Sequence, residues 1–268
     1  MHAQIQRASE VQKGFFPQRL LAVQGLDYFG AYQAAEQVGG DFFDFIAVDD
    51  AVLTLSIGDV AGRGIPAALI MAGLQASLRA LTAGPHAPPA CVMAKLNRLL
   101  SGLAPSNVYA TMFLAQIDTA RSELRYVSAG HVPAVLVRDK ARILVPLEST
   151  GPALGVIPSA EFSESTVALR PGDALVAVTD GLSEAVESSC FESYENLVVD
   201  TFRRQPRASS KDLANYILSH VETLHSADWE DDRTVVVVRS LVPEMPHTRE
   251  HHREAEPVRG RNDLVVAY

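Results

Sequence analysis

Aspartate stands beside glycine, or at the entrance to a strand-like run, in four segments scattered along this chain. They read VGGDFFDF (Val38 to Phe45), IGDVAGRGIPAAL (Ile57 to Leu69), TDGLSEA (Thr179 to Ala185) and DDRTVVVV (Asp231 to Val238). Glycine lets the backbone turn sharply and approach a ligand closely. Carboxylates gathered together raise one another's pKa and repel, and the simplest relief is a bound divalent cation. None of the four segments offers Cys or His, so an all-oxygen site suited to Mg²⁺ or Mn²⁺ is expected rather than zinc.

The segments need a scaffold, and the hydrophobic pattern supplies one. Strand-like runs are predicted at 28–35, 42–48, 52–57, 109–117, 123–128, 134–138, 143–147, 165–169, 174–178 and 234–241. After the Gly62/Gly64 turn, Pro66 suits a first helical turn, and Ile70, Leu74, Leu78 and Leu81 share one helix face. A second amphipathic helix carries Val92, Leu96, Leu99 and Leu103, and further helices are predicted at 194–204 and 211–225. Strands come in runs and helices in pairs, which favours an α+β fold of antiparallel sheets covered by helices over a doubly wound one.

Residues 1–20 read as a polar helix with a thin apolar stripe of Ile5, Ala8, Val11 and Phe15, to be covered either by docking on the domain or by a second copy of the chain. From Pro243 the composition turns to Pro, Glu, Arg and His, and disorder is expected over 243–268. The organisation predicted is thus a linker or dimerisation helix at 1–20, one domain at 21–242 and a tail. His247, His251 and His252 in that tail read as solvated, with adventitious metal binding the alternative.

With 268 residues and 47% hydrophobic content the chain can bury a full core. A net charge of -9 argues against nucleic acid as the partner. Cys91 and Cys190 alone give no disulfide framework, the amino terminus lacks a secretory signal, and the apolar stretch 65–81 is interrupted by Gln75 and Arg79. The expectation is a cytoplasmic protein without a membrane span.

The ordered set VGGD, IGDVAGRGIPAAL, SAGH (Ser128 to His131), STGPALG (Ser149 to Gly155), LRPGD (Leu169 to Asp173), TDGLSEA and DDRT resembles the bacterial SpoIIE/RsbU-type serine phosphatases of the metal-dependent protein phosphatase (PPM, type-2C) superfamily. The resemblance covers about residues 10 to 240. It implies an αββα sandwich, two antiparallel sheets packed face to face with helix pairs outside, and a site for two Mn²⁺ or Mg²⁺ ions at one end. The metal ligands it implies are Asp41, Asp59, the backbone carbonyl of Val60, Asp180 and Asp231, with Asp232 left open by register. Two such cations can make a nucleophilic water at neutral pH and clamp a phosphoryl group for in-line attack. No Cys–His pair, G-x-S-x-G elbow or Walker A ending offers another route.

Around that site Asp44 reads as a supporting carboxylate or a strand-surface residue, and Glu184 as a helix cap or a partner of metal-bound water. His131 reads as a general acid or a structural residue, and Arg63 as a phosphate contact or a surface residue. Ala61 stands where animal members of the superfamily carry His, so the general acid is unassigned. The resemblance implies a substrate that is a phosphorylated anti-sigma-factor antagonist of STAS type, while the apolar stripe of the first helix separately predicts a homodimer. The alternatives are a silent binding module for that partner and a hydrolase of small phosphoesters. About twenty residues ahead of the domain are too few for a sensor, so regulation is expected from a separate protein, from self-association, or not at all.

Overall fold

The β-rich segments close into two sheets because their side chains have apolar partners on both sides. The computed structural model describes residues 2–82, 87–103, 107–187, 193–224 and 231–242. Among these, β1 (Leu26–Gln33), β10 (Arg233–Ser240), β9 (Ala174–Val178), β6 (Ala134–Arg138) and β7 (Ile143–Leu147) form one antiparallel sheet in that order. The other runs β2 (Phe42–Ala47), β3 (Val52–Val60), β4 (Ala110–Asp118), β5 (Glu123–Ala129) and β8 (Ser165–Ala168). Val235 to Val238 and Ala174 to Val178 are continuous apolar runs rather than alternating ones, because each strand is buried on both faces.

Three apolar layers result. Leu53, Leu55, Ile57, Phe113, Leu136 and Val236 fill the space between the sheets. Helices α2 (Gly64–Thr82) and α3 (Pro89–Leu103) cover the β2–β8 sheet through Met71, Leu74, Leu78, Met93 and Leu96. On the β1–β7 sheet lie α4 (Asp180–Glu187), α5 (Tyr194–Arg204) and α6 (Ser210–Leu224), packed through Leu182, Leu197 and Ile217. This is the expected αββα order, with three helices on one side where a pair was expected. Each fully buried Leu or Ile contributes roughly 1.5–3 kcal/mol.

Helix α1 (His2–Lys13) docks on its own domain. Gln12 is buried, and Phe16, just past the helix, stacks on Tyr32 at 4.6 Å and meets Phe43 at 5.3 Å. Gln75 and Arg79 of α2 both donate to the Phe15 carbonyl, at 2.9 and 3.2 Å. Of the apolar stripe, Ile5, Ala8 and Phe15 are partly covered this way, while Val11 stays 65% exposed. Helix α2 is, by length and composition, apolar enough to cross a membrane, an attribute the interruption by Gln75 and Arg79 does not remove. Here it lies on a sheet. The tail, Cys190 and most of the 188–194 loop fall outside the described residues.

Candidate active site

Antiparallel pairing brings the ends of distant segments to one end of the sandwich. Asp59 closes β3, Asp41 precedes β2, Asp180 opens α4 just after β9, and Asp231 precedes β10. Register sets Asp59 opposite Thr111 on β4 and Val178 opposite Val235 on β10. The four carboxylates therefore meet where the two sheets face each other.

Asp41 is the deepest, with 1% of its surface exposed. Its Oδ2 accepts hydrogen bonds from the hydroxyls of Thr179 (2.7 Å) and Thr234 (2.6 Å), and the Thr234 amide donates to the Thr179 hydroxyl at 3.0 Å. The threonines of TDG and DDRT thus hold the aspartate of VGGD. Burial, followed by the charges of Asp59 and Asp232, pushes the Asp41 carboxyl well above the usual carboxylate range, against the pull of the two hydroxyls.

Asp232 does something different from its neighbour. Its Oδ1 accepts the Ala35 amide at 2.9 Å, and its Oδ2 accepts the amides of Gly40 at 2.8 Å and Asp41 at 3.5 Å. Both oxygens are thus committed to fixing the 35–41 loop. The double glycine makes this possible, since a Cβ on Gly39 would sit 1.7 Å from Asp232 Oδ2. A Cβ on Gly40 would meet the Val60 carbonyl at 2.6 Å and Asp59 Oδ1 at 3.1 Å, so that carbonyl and that carboxylate lie together against the loop. On the far side, Gln12 of α1 donates to the Gly39 carbonyl (2.7 Å) and accepts the Gly39 amide (3.2 Å).

Burial and then the charges of Asp180 and Asp231 push Asp59 up to about 7, while a hydrogen bond with Asp41 pulls the other way. Asp180 is also raised, by burial and by Asp231, although the Gly181 amide donates to its Oδ1 at 2.9 Å. Among the described residues no three such groups close into a preformed cage; Asp41 and Asp59 instead share a hydrogen bond. The donor set still fits a hard cation: oxygen only, buried at Asp41 and half-buried at Asp59, Asp180 and Asp231, and mutually repelling.

A pH effect follows. In the metal-free fold Asp59 keeps a proton that the unfolded chain releases near the ordinary value of about 3.9. That contribution is present at low pH and is lost as pH rises from about 4 through about 7. The expected result in EDTA is a lower Tm at pH 7.5 than at pH 5.5, with saturating Mn²⁺ restoring it at pH 7.5. Thermal unfolding at the two pH values, with and without Mn²⁺, checks this; a higher Tm in EDTA at pH 7.5 contradicts it.

A family description, Stage II sporulation protein E (SpoIIE), matches residues 49–241 of the chain. The chain belongs to the SpoIIE family. It is 27% identical over 241 residues to phosphoserine phosphatase RsbU of Bacillus subtilis (strain 168), covering 90% of this chain and 71% of that protein. It is 28% identical to phosphoserine phosphatase RsbP of the same organism, over 85% of this chain and 55% of that protein. The SiaA-PP2C domain of Pseudomonas aeruginosa superposes with a TM-score of 0.76 at 19% identity, over 89% of this chain and 96% of that one. At that identity the likeness is one of fold, and the fold is that of the PPM phosphatases.

For this SpoIIE-family chain, then, the structure brings together Asp41, Asp59, Val60, Asp180 and Asp231, and assigns Asp232 to the loop. It removes Asp44, whose carboxylate is buried under α2 in a two-pronged ion pair with Arg79 at 2.6 and 3.0 Å. Glu184 lies in the second turn of α4 on the exposed side, past the capping positions. Arg63 is exposed on the turn between Val60 and α2. His131 is buried with Nδ1 2.9 Å from the Thr111 hydroxyl, and burial lowers its pKa to about 4. A neutral imidazole at working pH holds Thr111 rather than donating a proton as a general acid. Thr179, Thr234 and Gln12 also serve the site, and nothing in their sequence positions sets them apart, although both threonines stand inside the TDG and DDRT motifs.

Proposed function

We propose that this chain hydrolyses phosphoserine on a regulatory protein, an anti-sigma-factor antagonist of STAS type, in the cytoplasm and with two Mn²⁺ or Mg²⁺ ions. Family membership and relatives named phosphoserine phosphatases support the activity. The observation that carries the site is the convergence of Asp59, Asp180 and Asp231 with Asp41, which the hydroxyls of Thr179 and Thr234 hold at 2.7 and 2.6 Å. Asp59, Asp180, Asp231 and the Val60 carbonyl would hold the ions, with Asp41 completing the set. When bound, they supply an activated water and neutralise charge on the phosphoryl oxygens.

The chain's own residues prepare that site. Thr179 and Thr234 fix Asp41 from the β1–β7 sheet, and Asp232 holds the loop through three amides, so the carboxylates keep their places despite repulsion. Asp180 sits at the first turn of α4, where the helix dipole favours an anion. An intact set of aspartates, each with its supporting hydrogen bonds, speaks against a silent binding module.

A phosphoserine on a folded protein gains orientation from contacts remote from the phosphate, which a small ester lacks. We expect Mn²⁺-dependent kcat/KM for a serine-phosphorylated STAS protein to exceed that for p-nitrophenyl phosphate by about 100-fold, roughly 2.7 kcal/mol. Phosphate release from both substrates, with and without EDTA, measures this. Comparable values across several phosphoproteins would favour a small-phosphoester hydrolase.

A further inference from the structure

Beside Asp59 the edge of the site is apolar, exposed and rigid at once. Tyr109 lies two residues before Thr111, the register partner of Asp59, and so shares that face of the sheet at its very end. The residue is 45% exposed, and its carbonyl accepts the Ala61 amide at 2.9 Å. Next to it, Ala110 and Leu154 exchange backbone hydrogen bonds of 3.0 and 2.8 Å, which pins the STGPALG segment against the start of β4. The chain then turns at Gly155, where a Cβ would press on the Val108 carbonyl at 2.9 Å, and presents Val156 and Ile157, 57% and 47% exposed.

Those two apolar side chains stand on a fixed support. Asn97 of α3, fully buried, accepts the Gly155 amide at 2.8 Å and donates to the carbonyls of Ile157 (2.9 Å) and Pro158 (3.2 Å). A loop held at three points has little entropy left to lose on binding. Apolar residues exposed on such a support, adjoining a reactive centre, mark an interaction surface rather than a mobile coil.

We propose that Tyr109, Val156 and Ile157 form the docking surface for the folded phosphoprotein substrate and set its specificity, an inference that rests on the phosphatase reading above. The occupant follows from position: a protein that delivers phosphoserine to Asp59 must cover the start of β4, whereas a short peptide or small ester can reach the carboxylates without touching the 155–158 turn. The recognition is apolar because a carboxylate-rich mouth gives an acidic chain little to offer a phosphorylated partner except through bound cations.

The test is the double variant Val156→Asp/Ile157→Asp of the full chain. It is assayed with Mn²⁺ on a serine-phosphorylated STAS-domain protein, on a ten-residue phosphopeptide spanning the same serine, and on p-nitrophenyl phosphate. The expected result is a loss of about 30-fold in kcat/KM for the protein, carried by KM, with peptide and small ester within about twofold of wild type. Val156→Ser/Ile157→Ser, gentler to the fold, should shift KM in the same direction. Unchanged protein turnover, or an equal fall on all three substrates, overturns the proposal. So does a drop in mass by light scattering from dimer to monomer, which would make a second copy of the chain the occupant. If wild type releases no phosphate from any of the three, the phosphatase reading itself fails, and this inference with it.

Discussion

Asp59→Asn abolishes phosphate release, by at least about a thousand-fold in kcat at saturating Mn²⁺, while leaving the metal-free fold at least as stable as wild type. The loss is expected because Asp59 is where the charges of Asp180 and Asp231 converge and where Asp41 reaches across from the VGGD loop. An amide at that point keeps the shape and removes the charge a divalent cation needs. Stability is expected to hold because Asp59 carries a repulsive load: burial and two neighbouring carboxylates hold it near 7, so its ionised form opposes folding at neutral pH. Asp231→Asn should behave alike in activity. Asp232→Asn should differ, costing stability first, since its carboxylate is committed to backbone amides. Turnover and Tm in EDTA for the three variants separate these roles; near wild-type turnover by Asp59→Asn would remove the assignment.

Gly39→Ala is the most damaging substitution expected outside the carboxylates. The added carbon would lie 1.7 Å from Asp232 Oδ2, so the clamp that accepts the Ala35, Gly40 and Asp41 amides must open. Each buried amide left unpaired costs about 1–3 kcal/mol. A total near 3 kcal/mol lowers the Tm of a domain this size by roughly 6–12 °C. Asp41 moves with the loop, so activity should also fall by about 100-fold or more. Adding Asp232→Ala to Gly39→Ala removes the clash together with the lost acceptor, and the double variant should be no less stable than Gly39→Ala alone, a strongly non-additive cycle. A Gly39→Ala protein within 1 °C of wild type would contradict the clamp.

Most of the fold was legible because it is written in short-range pattern. The ten strands of the described residues were each expected within a few residues of their observed limits, since apolar runs bounded by Gly, Pro and Asp turns carry that signal locally. Helix α4 was not, because TDG reads as a turn; there the Thr179 carbonyl takes the amides of Leu182 and Ser183 and starts a helix whose first residue is Asp180. The site was legible as a set of aspartates and less so as an arrangement. Asp231 and Asp232 are indistinguishable in sequence, and only the approach of the 35–41 loop, some 190 residues away in the chain, assigns the second to structure. Asp44 shows the converse: in sequence it reads as a supporting carboxylate or a strand-surface residue, yet it is buried and pairs with Arg79 of α2. Helix α1 was read by its apolar stripe, whereas the contact that seats it is polar, Gln12 on Gly39.

Whether these carboxylates hold the two ions that drive phosphoserine hydrolysis is decided by locating Mn²⁺ by anomalous scattering while titrating phosphate release from a serine-phosphorylated protein. The expected result is two Mn²⁺ ions among Asp41, Asp59, Asp180, Asp231 and the Val60 carbonyl, turnover that rises with their occupancy, and loss of both in Asp59→Asn. Turnover that persists in EDTA, or Mn²⁺ found only at the histidines of the 243–268 segment, would contradict it.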